Sequence, residues 1–234
     1  MYNILICDDD KDIVSALEIY LKSEGYQTFP ACNGTEALNI VEREDIHLVL
    51  MDVMMPGMDG LHATAKLREE NNVPIILLTA KSEDSDKVLG LNIGADDYVT
   101  KPFNPVEVMA RVKSQLRRYT TLGGHTQTEQ QDKDVLVNGG IVLNDKTKLV
   151  TVDGEERSLT PLEYSILKLL MSHPGQVFST SQIYELVWND PSYGSENTVA
   201  VHIRHLREKV EIDPGNPRYI KVVWGLGYKM EVMK

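Results

Sequence analysis

The chain has 234 residues, of which 42% are hydrophobic, 25% charged and 6% aromatic. This composition is ordinary for a globular protein and excludes fibrous and disordered classes, while no apolar run approaches the roughly 18–20 residues that a membrane helix needs. The two cysteines, Cys7 and Cys32, are too few for a disulfide scaffold, and the first residues lack the basic segment of a signal peptide. We therefore expect a cytoplasmic protein with no membrane partner.

The net charge of −11 by itself disfavours nucleic acid as a ligand, because DNA-binding surfaces are usually basic. The acidic excess, however, lies mostly in the first half of the chain. Residues 1–120 carry a net charge of −8 and residues 136–234 a net charge of −1, so we expect the two halves to have different roles.

Strand-like and helix-like segments alternate through residues 1–120. Apolar runs typical of strands occur at 4–7, 48–51 and 75–78, with weaker ones at 26–29 and 98–100. The first helix ends at Gly25 and places on one face Ile13, Leu17, Tyr20 and Leu21. Further helices are predicted near 35–44, 60–70, 84–93 and 105–118. These five repeats predict an α/β domain with a doubly wound, five-stranded parallel sheet in the flavodoxin-like order 2-1-3-4-5.

The second half has a different pattern. Residues 121–135 lack apolar periodicity and are rich in Gly, Thr and Gln, which predicts a flexible linker. Short strand-like pieces separated by turn signals follow, and then helices are predicted at about 161–172, 180–188 and 196–211, with Thr160 as the N-cap of the first. Two strands flank residues 225–227. This order predicts an α+β winged helix-turn-helix domain over 136–234.

Acidic side chains follow two of the predicted strands. Asp8, Asp9 and Asp10 come directly after the first strand, and Asp52 follows the third. These strands flank the point where ligands bind in an open parallel sheet, so we expect three carboxylates to converge there around Mg²⁺. Thr79 and Lys101 end the fourth and fifth strands and reach the same edge. A carboxylate nucleophile, a metal ion, a hydroxyl and an ammonium group together indicate phosphoryl transfer onto an aspartate.

Two other classes fit less well. An aspartyl-phosphate hydrolase of the dehalogenase type needs a second Asp two residues after the nucleophile, where Met54 stands. A flavodoxin-like cofactor carrier needs a Ser/Thr/Gly-rich loop after the first strand, where this chain has three aspartates.

Four motifs carry a family resemblance: ILICDDD at 4–10, MDVMMPGMDG at 51–60, LTA at 78–80 and DDYVTKPF at 96–103. They resemble the receiver domain of bacterial two-component response regulators, and with the second half the chain resembles the OmpR/PhoB family of transcription regulators. Within that family, QLRRY at 115–119 and VWGLGYK at 223–229 look most similar to vancomycin-resistance-type (VanR-like) regulators.

The resemblance implies roles for the acidic site. Asp52 would accept a phosphoryl group from a sensor histidine kinase, and Lys101 would pair with that group. Mg²⁺ would be held by Asp9, Asp52 and the backbone carbonyl of Met54, with Asp8 acting largely through water. Thr79 and Tyr98 would form the switch pair, and the Lys101–Pro102 peptide is a candidate for the cis form. Such a protein accepts and slowly hydrolyses its own phosphoryl group and is not a conventional enzyme. A regulator of the same family that acts without phosphorylation stays an alternative.

The resemblance also implies a homodimer promoted by phosphorylation. In the family, the segments matching 84–93, 97–101 and 105–118 form a two-fold surface held by intermolecular ion pairs. The matching pairs in this chain are Lys87 with Glu107, Asp97 with Arg111, and Asp96 with Arg118.

The helix predicted at 196–211 has a buried stripe formed by Val199, Ile203, Leu206 and Val210. The opposite face would present to DNA Asn197, Val201, Arg204 and His205, with Thr198, His202 and Arg207 at the flanks. Residues 196–229 have a net charge of +2. Many relatives have Arg at the wing position of Trp224, which would here stack on a sugar or pack within the protein. The family implies tandem DNA half-sites, and the loop 189–195 matches a segment that touches RNA polymerase.

Overall fold

The computed structural model describes residues 1–80, 91, 93–123, 135–188 and 196–233, without the side chains of 118–123, 196 and 197. The chain divides into two compact units, residues 1–119 and 120–234. Several predictions lie outside the described residues: Lys87, the side chains of Arg118 and Asn197, the loop 189–195, and most of the helix near 84–93 and of the linker. No helix in the described part of the chain is long and apolar enough to cross a membrane.

Within the described residues, the first unit contains the five predicted strands and four of the five predicted helices. Its elements are β1 (Asn3–Cys7), α1 (Lys11–Ser23), β2 (Gln27–Ala31), α2 (Gly34–Arg43), β3 (Leu48–Asp52), α3 (Gly60–Glu70), β4 (Ile75–Ala80), β5 (Asp97–Lys101) and α4 (Pro105–Gly123). The strands pair in parallel in the order β2-β1-β3-β4-β5. The predicted α/β fold and strand order are therefore confirmed.

Alternating residues of the central strands point into separate cores on the two faces of the sheet. Leu5 and Val49 belong to the core covered by α2 and α3, whereas Ile4 and Leu48 belong to the core covered by α1 and α4. Burial on both faces explains why β3 is apolar until it reaches Asp52.

Two helices of this unit differ from prediction. Tyr20 is 43% exposed, because the buried stripe of α1 is narrower than its apolar pattern and is formed by Leu17 and Leu21. Helix α4 continues past its predicted end at 118 to Gly123, three residues into the segment predicted as linker.

The described part of the second unit contains two antiparallel sheets and three helices. Its elements are β6 (Val135–Asn138), β7 (Ile141–Asn144), β8 (Leu149–Val152), β9 (Glu155–Glu156), α5 (Pro161–Ser172), β10 (Val177–Phe178), α6 (Thr180–Trp188), α7 (Glu196–Val210), β11 (Ile220–Val223) and β12 (Gly227–Met230). The sheets run β6-β7-β8-β9 and β10-β12-β11, so α6 and α7 are followed by the hairpin of a winged helix-turn-helix.

Polar side chains at the ends of helices fix the packing of this unit. The capping box expected at Thr160 is present, with Glu163 bonding back to the Thr160 backbone. Glu163 is buried and also accepts from Lys209 Nζ at 2.6 Å, which ties α5 to α7. After α7, the carboxylate of Glu211 accepts from the backbone N–H groups of Tyr219 and Ile220 and so fixes the start of the hairpin.

Candidate functional site

The predicted acidic site assembles at the carboxyl edge of the parallel sheet. Asp8 follows β1 and Asp52 ends β3, and both side chains are buried, whereas Asp9 is exposed. Carboxylate oxygens of all three residues lie within 4.8 Å of one another. Two neighbouring parallel strands thus bring together the carboxylates that the sequence predicted to converge.

Lys101 neutralises part of this negative charge. Its Nζ lies 2.7 Å from Asp8 Oδ2 and 2.8 Å from Asp52 Oδ1. Burial opposes the charged form of Lys101, but hydrogen bonds to Asp52 and Asp8 outweigh it and raise the pKa of the ammonium group. Burial also raises the pKa of Asp52, and Lys101 offsets part of that rise.

The donor set fits a hard divalent cation. Carboxylate oxygens are the ligands that Mg²⁺ prefers, and an exposed member such as Asp9 leaves room for the waters that this ion retains. Met54, which was expected to contribute its backbone carbonyl, is 71% exposed.

The two residues of the expected switch pair lie on β4 and β5. Thr79 is buried, and its hydroxyl donates to the carbonyl of Ala80 at 3.3 Å. Tyr98 is half-buried and packs against the core covered by α2 and α3. The predicted cis peptide between Lys101 and Pro102 is present.

Sequence reasoning missed two residues that shape this site. Gly60 begins α3 so close to β3 that a Cβ atom would lie 2.0 Å from the carbonyl oxygen of Asp52. Cys7 donates to Met55 Sδ at 3.4 Å, and burial raises the pKa of its thiol, so the thiol keeps its proton for this contact. A glycine at a helix start, directly after Asp59, was a signal for the close approach at Gly60. No sequence pattern predicts the contact between Cys7 and Met55.

The described members of the predicted dimer pairs have partners within the chain. Arg111 lies 2.9 Å from Asp97 Oδ2 and 3.2 Å from Glu107 Oε1. Asp96 is 1% exposed and pairs with Arg68 at 2.6 Å, so the expectation that Asp96 faces a second copy is wrong for this structure. Arg68, on α3, holds the Asp96 carboxylate inside the first unit, directly before β5.

The buried stripe of α7 is wider than the sequence predicted. Thr198, Val201 and His202 are each more than nine-tenths buried, and the His202 ring lies 5.5 Å from that of Trp188. The expectation that Val201 faces outward, with Thr198 and His202 at the flanks of that face, does not fit this burial, and His202 packs against an aromatic residue of α6. On this face Arg204 is exposed and His205 half-buried.

Of two further residues that were predicted to contact DNA, Arg207 is bonded within the protein and Trp224 is exposed. Arg207 donates from Nε and Nη2 to the carbonyl of Ile220 and lies over the ring of Tyr228, so its guanidinium holds the hairpin against α7. Trp224, at the hairpin tip, is 89% exposed, so it does not pack within the protein. Among the described residues that were predicted to contact DNA, Arg204 and Trp224 are thus exposed and His205 is half-buried.

Comparison with known families matches both units. Residues 4–113 match the response regulator receiver domain, and residues 154–230 match the C-terminal domain of transcriptional regulatory proteins.

Similar proteins cover nearly the whole chain. It is 45% identical to the regulatory protein VanR of Enterococcus faecium over 229 residues, which are 97% of this chain and 98% of that protein. It is 44% identical to the uncharacterised transcriptional regulatory protein YrkP of Bacillus subtilis, with 97% of each chain covered. Among solved structures, DrrB of Thermotoga maritima, described as an OmpR/PhoB homologue, is 33% identical with a TM-score of 0.51 over 99% of each chain.

Proposed function

The chain belongs to the OmpR/PhoB-type two-component response regulators, which control transcription, and we propose that Asp52 is the residue through which this one is switched. The observation that carries the proposal is the position of Lys101 Nζ, which bridges the Asp52 and Asp8 carboxylates at hydrogen-bond distance. A carboxylate at this edge of the sheet, with a fixed cation beside it, is suited to receive a phosphoryl group.

The proposed transfer is in-line. A carboxylate oxygen of Asp52 forms a bond to phosphorus while the bond from phosphorus to the donor breaks. The donor is a kinase phosphohistidine or a small acyl phosphate, and its imidazole or carboxylate leaves with the electron pair of the broken bond. The product carries about −1.5 to −2 of added charge beside two further aspartates. Lys101 stabilises that charge at one side, and burial of Asp52 limits access of the water that would hydrolyse the product.

Asp8, Asp9 and Asp52, with the Met54 carbonyl, would hold Mg²⁺. The ion would neutralise the phosphoryl oxygens as the transferring group loses its donor. Thr79 would then turn its hydroxyl from the Ala80 carbonyl toward a phosphoryl oxygen, and Tyr98 would move further inward.

We propose that this movement favours a homodimer through the face of β5 and α4, and that the dimer binds tandem DNA half-sites about one helical turn apart. Arg204 and His205 would contact the major groove. Residues 136–234 have a net charge of −1, so the DNA-binding domain would have modest affinity for DNA alone and would depend on pairing. Proposed protein partners are a sensor histidine kinase and RNA polymerase, and the proposed location is the cytoplasm.

Labelling tests the switch. Wild-type protein incubated with radiolabelled acetyl phosphate and Mg²⁺ should become labelled, and Asp52→Asn should not, because the amide oxygen is a poor nucleophile. Asp59→Asn, at the exposed start of α3, is the matched control and should label normally. Undiminished labelling of Asp52→Asn would refute the assignment.

Genome-wide DNA footprinting with wild-type and Asp52→Asn protein tests the output. Sites that are occupied only by the phosphorylatable protein are expected, and equal occupancy by both would show regulation that does not depend on Asp52.

A further inference from the structure

The wing hairpin ends in an uncovered apolar tip. Trp224 is 89% exposed, Leu226 64% and Val222 41%. Three large exposed apolar side chains within five residues of one hairpin favour a surface that a ligand or partner covers.

This tip stands on a rigid base. Val223 pairs with Gly227 across the hairpin, and the backbone N–H of Leu226 donates to the carbonyl of Val223 at 2.9 Å. At Gly227 a Cβ atom would lie 2.0 Å from the carbonyl oxygen of Phe178, so β12 is pressed against β10. The tip residues 224–226 therefore project from a three-stranded sheet whose position is fixed.

The same base is fastened to α7. Arg207 of α7 donates two hydrogen bonds to the carbonyl of Ile220, at 3.1 and 2.7 Å, and its guanidinium lies over the ring of Tyr228. Arg204, one turn earlier on α7, is exposed. The hairpin that carries the apolar tip is thus fixed to the helix that carries the exposed Arg204.

The charges along the hairpin favour an anionic partner. Lys221 and Lys229 face each other directly across β11 and β12. Like charges in this position repel. The carboxylate of Glu231, 3.1 Å from Lys229 Nζ, offsets one of these charges, while the ammonium group of Lys221 donates to the neutral carbonyl of Pro217. A row of phosphates beside the hairpin would offset the other.

Resting on the DNA-binding function proposed above, we propose that Trp224, with Leu226, is an apolar wedge that enters the minor groove next to α7, partly unstacks one base step and bends the duplex. The tip has the chemistry of such a wedge, since it is apolar, rigid and flanked by lysines. A tryptophan carries no charge with which to read a narrow groove. Its sequence preference would instead come from the ease of opening the step, which favours flexible pyrimidine–purine steps.

The test uses full-length protein phosphorylated with acetyl phosphate and Mg²⁺, and a duplex recovered from random sequence by repeated selection on that phosphorylated protein. Bending is followed by energy transfer between dyes at the two ends, and unstacking by the fluorescence of 2-aminopurine placed at each pyrimidine–purine step. We expect wild-type protein to bend the duplex and brighten one step. Trp224→Ala should lose both signals and bind about tenfold more weakly, the usual effect of removing one aromatic stacking contact.

Two further variants separate a wedge from a charged contact. Trp224→Arg should restore affinity and steepen its salt dependence by about one phosphate, yet leave the duplex straight. Ile212→Ala removes another exposed apolar side chain, in the turn after α7, and should leave affinity and bending unchanged.

The outcomes distinguish the wedge from the function on which it rests. If Trp224→Ala binds DNA and bends and unstacks it as wild-type protein does, the wedge is refuted while DNA binding stands, and the tip serves a protein partner. If wild-type protein selects no sequence, the DNA-binding function fails and the wedge fails with it.

Discussion

Arg68 Nη2 lies 2.6 Å from Asp96 Oδ2 within the first unit, where the two side chains are 11% and 1% exposed. Arg68 also donates to the carbonyls of Gly94 and Val73, and Asp96 accepts from the backbone N–H of Ile75. This pair therefore joins α3 to the starts of β4 and β5. It lies at the opposite edge of the sheet from the proposed phosphorylation site and serves the fold.

We expect Arg68→Ala to destabilise the first unit by about 3–5 kcal/mol, because it leaves the buried Asp96 charge without its cation. Denaturant unfolding followed by circular dichroism measures the loss. Both tryptophans, Trp188 and Trp224, lie in the second unit, so a transition reported by tryptophan fluorescence should not move. Lys22→Ala removes an exposed pair with Glu18 and serves as the control, with an expected cost of 0–1 kcal/mol. An equal effect of the two changes would contradict the buried role of Arg68.

Sequence periodicity predicts those elements of this chain that repeat an apolar pattern over several turns or strand residues. Helices α5 and α6 begin and end where the pattern predicts. Strand β10 could not be predicted, because its two residues, Val177 and Phe178, are too few to show a periodic pattern. The width of the buried stripe on α7 could not be predicted from the sequence of that helix either, because it depends on the Trp188 ring of another helix.

The acidic site could be predicted because its members follow strands that end at one edge of a parallel sheet. Asp8, Asp52 and Lys101 needed only that rule to be brought together. Arg68 could not be found in this way. Most of its partners are backbone carbonyls, which every residue has, and its carboxylate partner is 28 positions away in the sequence.

Replacing Lys101 tests whether its ammonium group competes with Mg²⁺ for the carboxylates of Asp8 and Asp52. Lys101→Met removes an ammonium group that lies within 3 Å of two carboxylates, so Mg²⁺ should bind several-fold more tightly and raise the unfolding temperature of the first unit more than in wild-type protein. Calorimetric titration with Mg²⁺ and thermal unfolding at several Mg²⁺ concentrations provide the readouts. Lys113→Met, whose exposed ammonium pairs with Glu24, should not change Mg²⁺ binding. Weaker binding to Lys101→Met would show that Lys101 supports the metal site.

Charge reversal on α4 tests the proposed dimer face. Arg111→Glu replaces a cation that lies 2.9 Å from Asp97 and 3.2 Å from Glu107 with a negative charge, so acetyl-phosphate-dependent dimerisation in sedimentation velocity should weaken. Lys113→Glu makes the same charge change on the same helix, outside these pairs, and should dimerise as wild-type protein does. An unchanged dimer constant for Arg111→Glu, with the variant folded by circular dichroism, would exclude this face.

The stability of the second unit should depend on the ionisation of Asp145. Burial alone would raise the pKa of this carboxyl, but hydrogen bonds from Lys148, Lys168 and Tyr164 outweigh burial and lower the pKa from 3.8 to about 2. Because the folded pKa lies below the unfolded one, the stabilisation is fully present above about pH 4 and is lost as the pH falls through about 2.

Asp145→Asn keeps the shape of the side chain and removes its charge. Since the carboxylate is 26% exposed, solvent screening limits the expected loss of unfolding free energy at pH 7 to about 1 kcal/mol. The difference between variant and wild type should shrink as the pH falls from 4 to 2, which urea titrations followed by Trp188 fluorescence at each pH can measure. Asp153→Asn is the control, because Asp153 forms no ion pair among the described residues and asparagine tolerates its left-handed φ of 51°. A difference that stays constant from pH 7 to pH 2 would mean that Asp145 acts through hydrogen-bond geometry and packing, without a contribution from its charge.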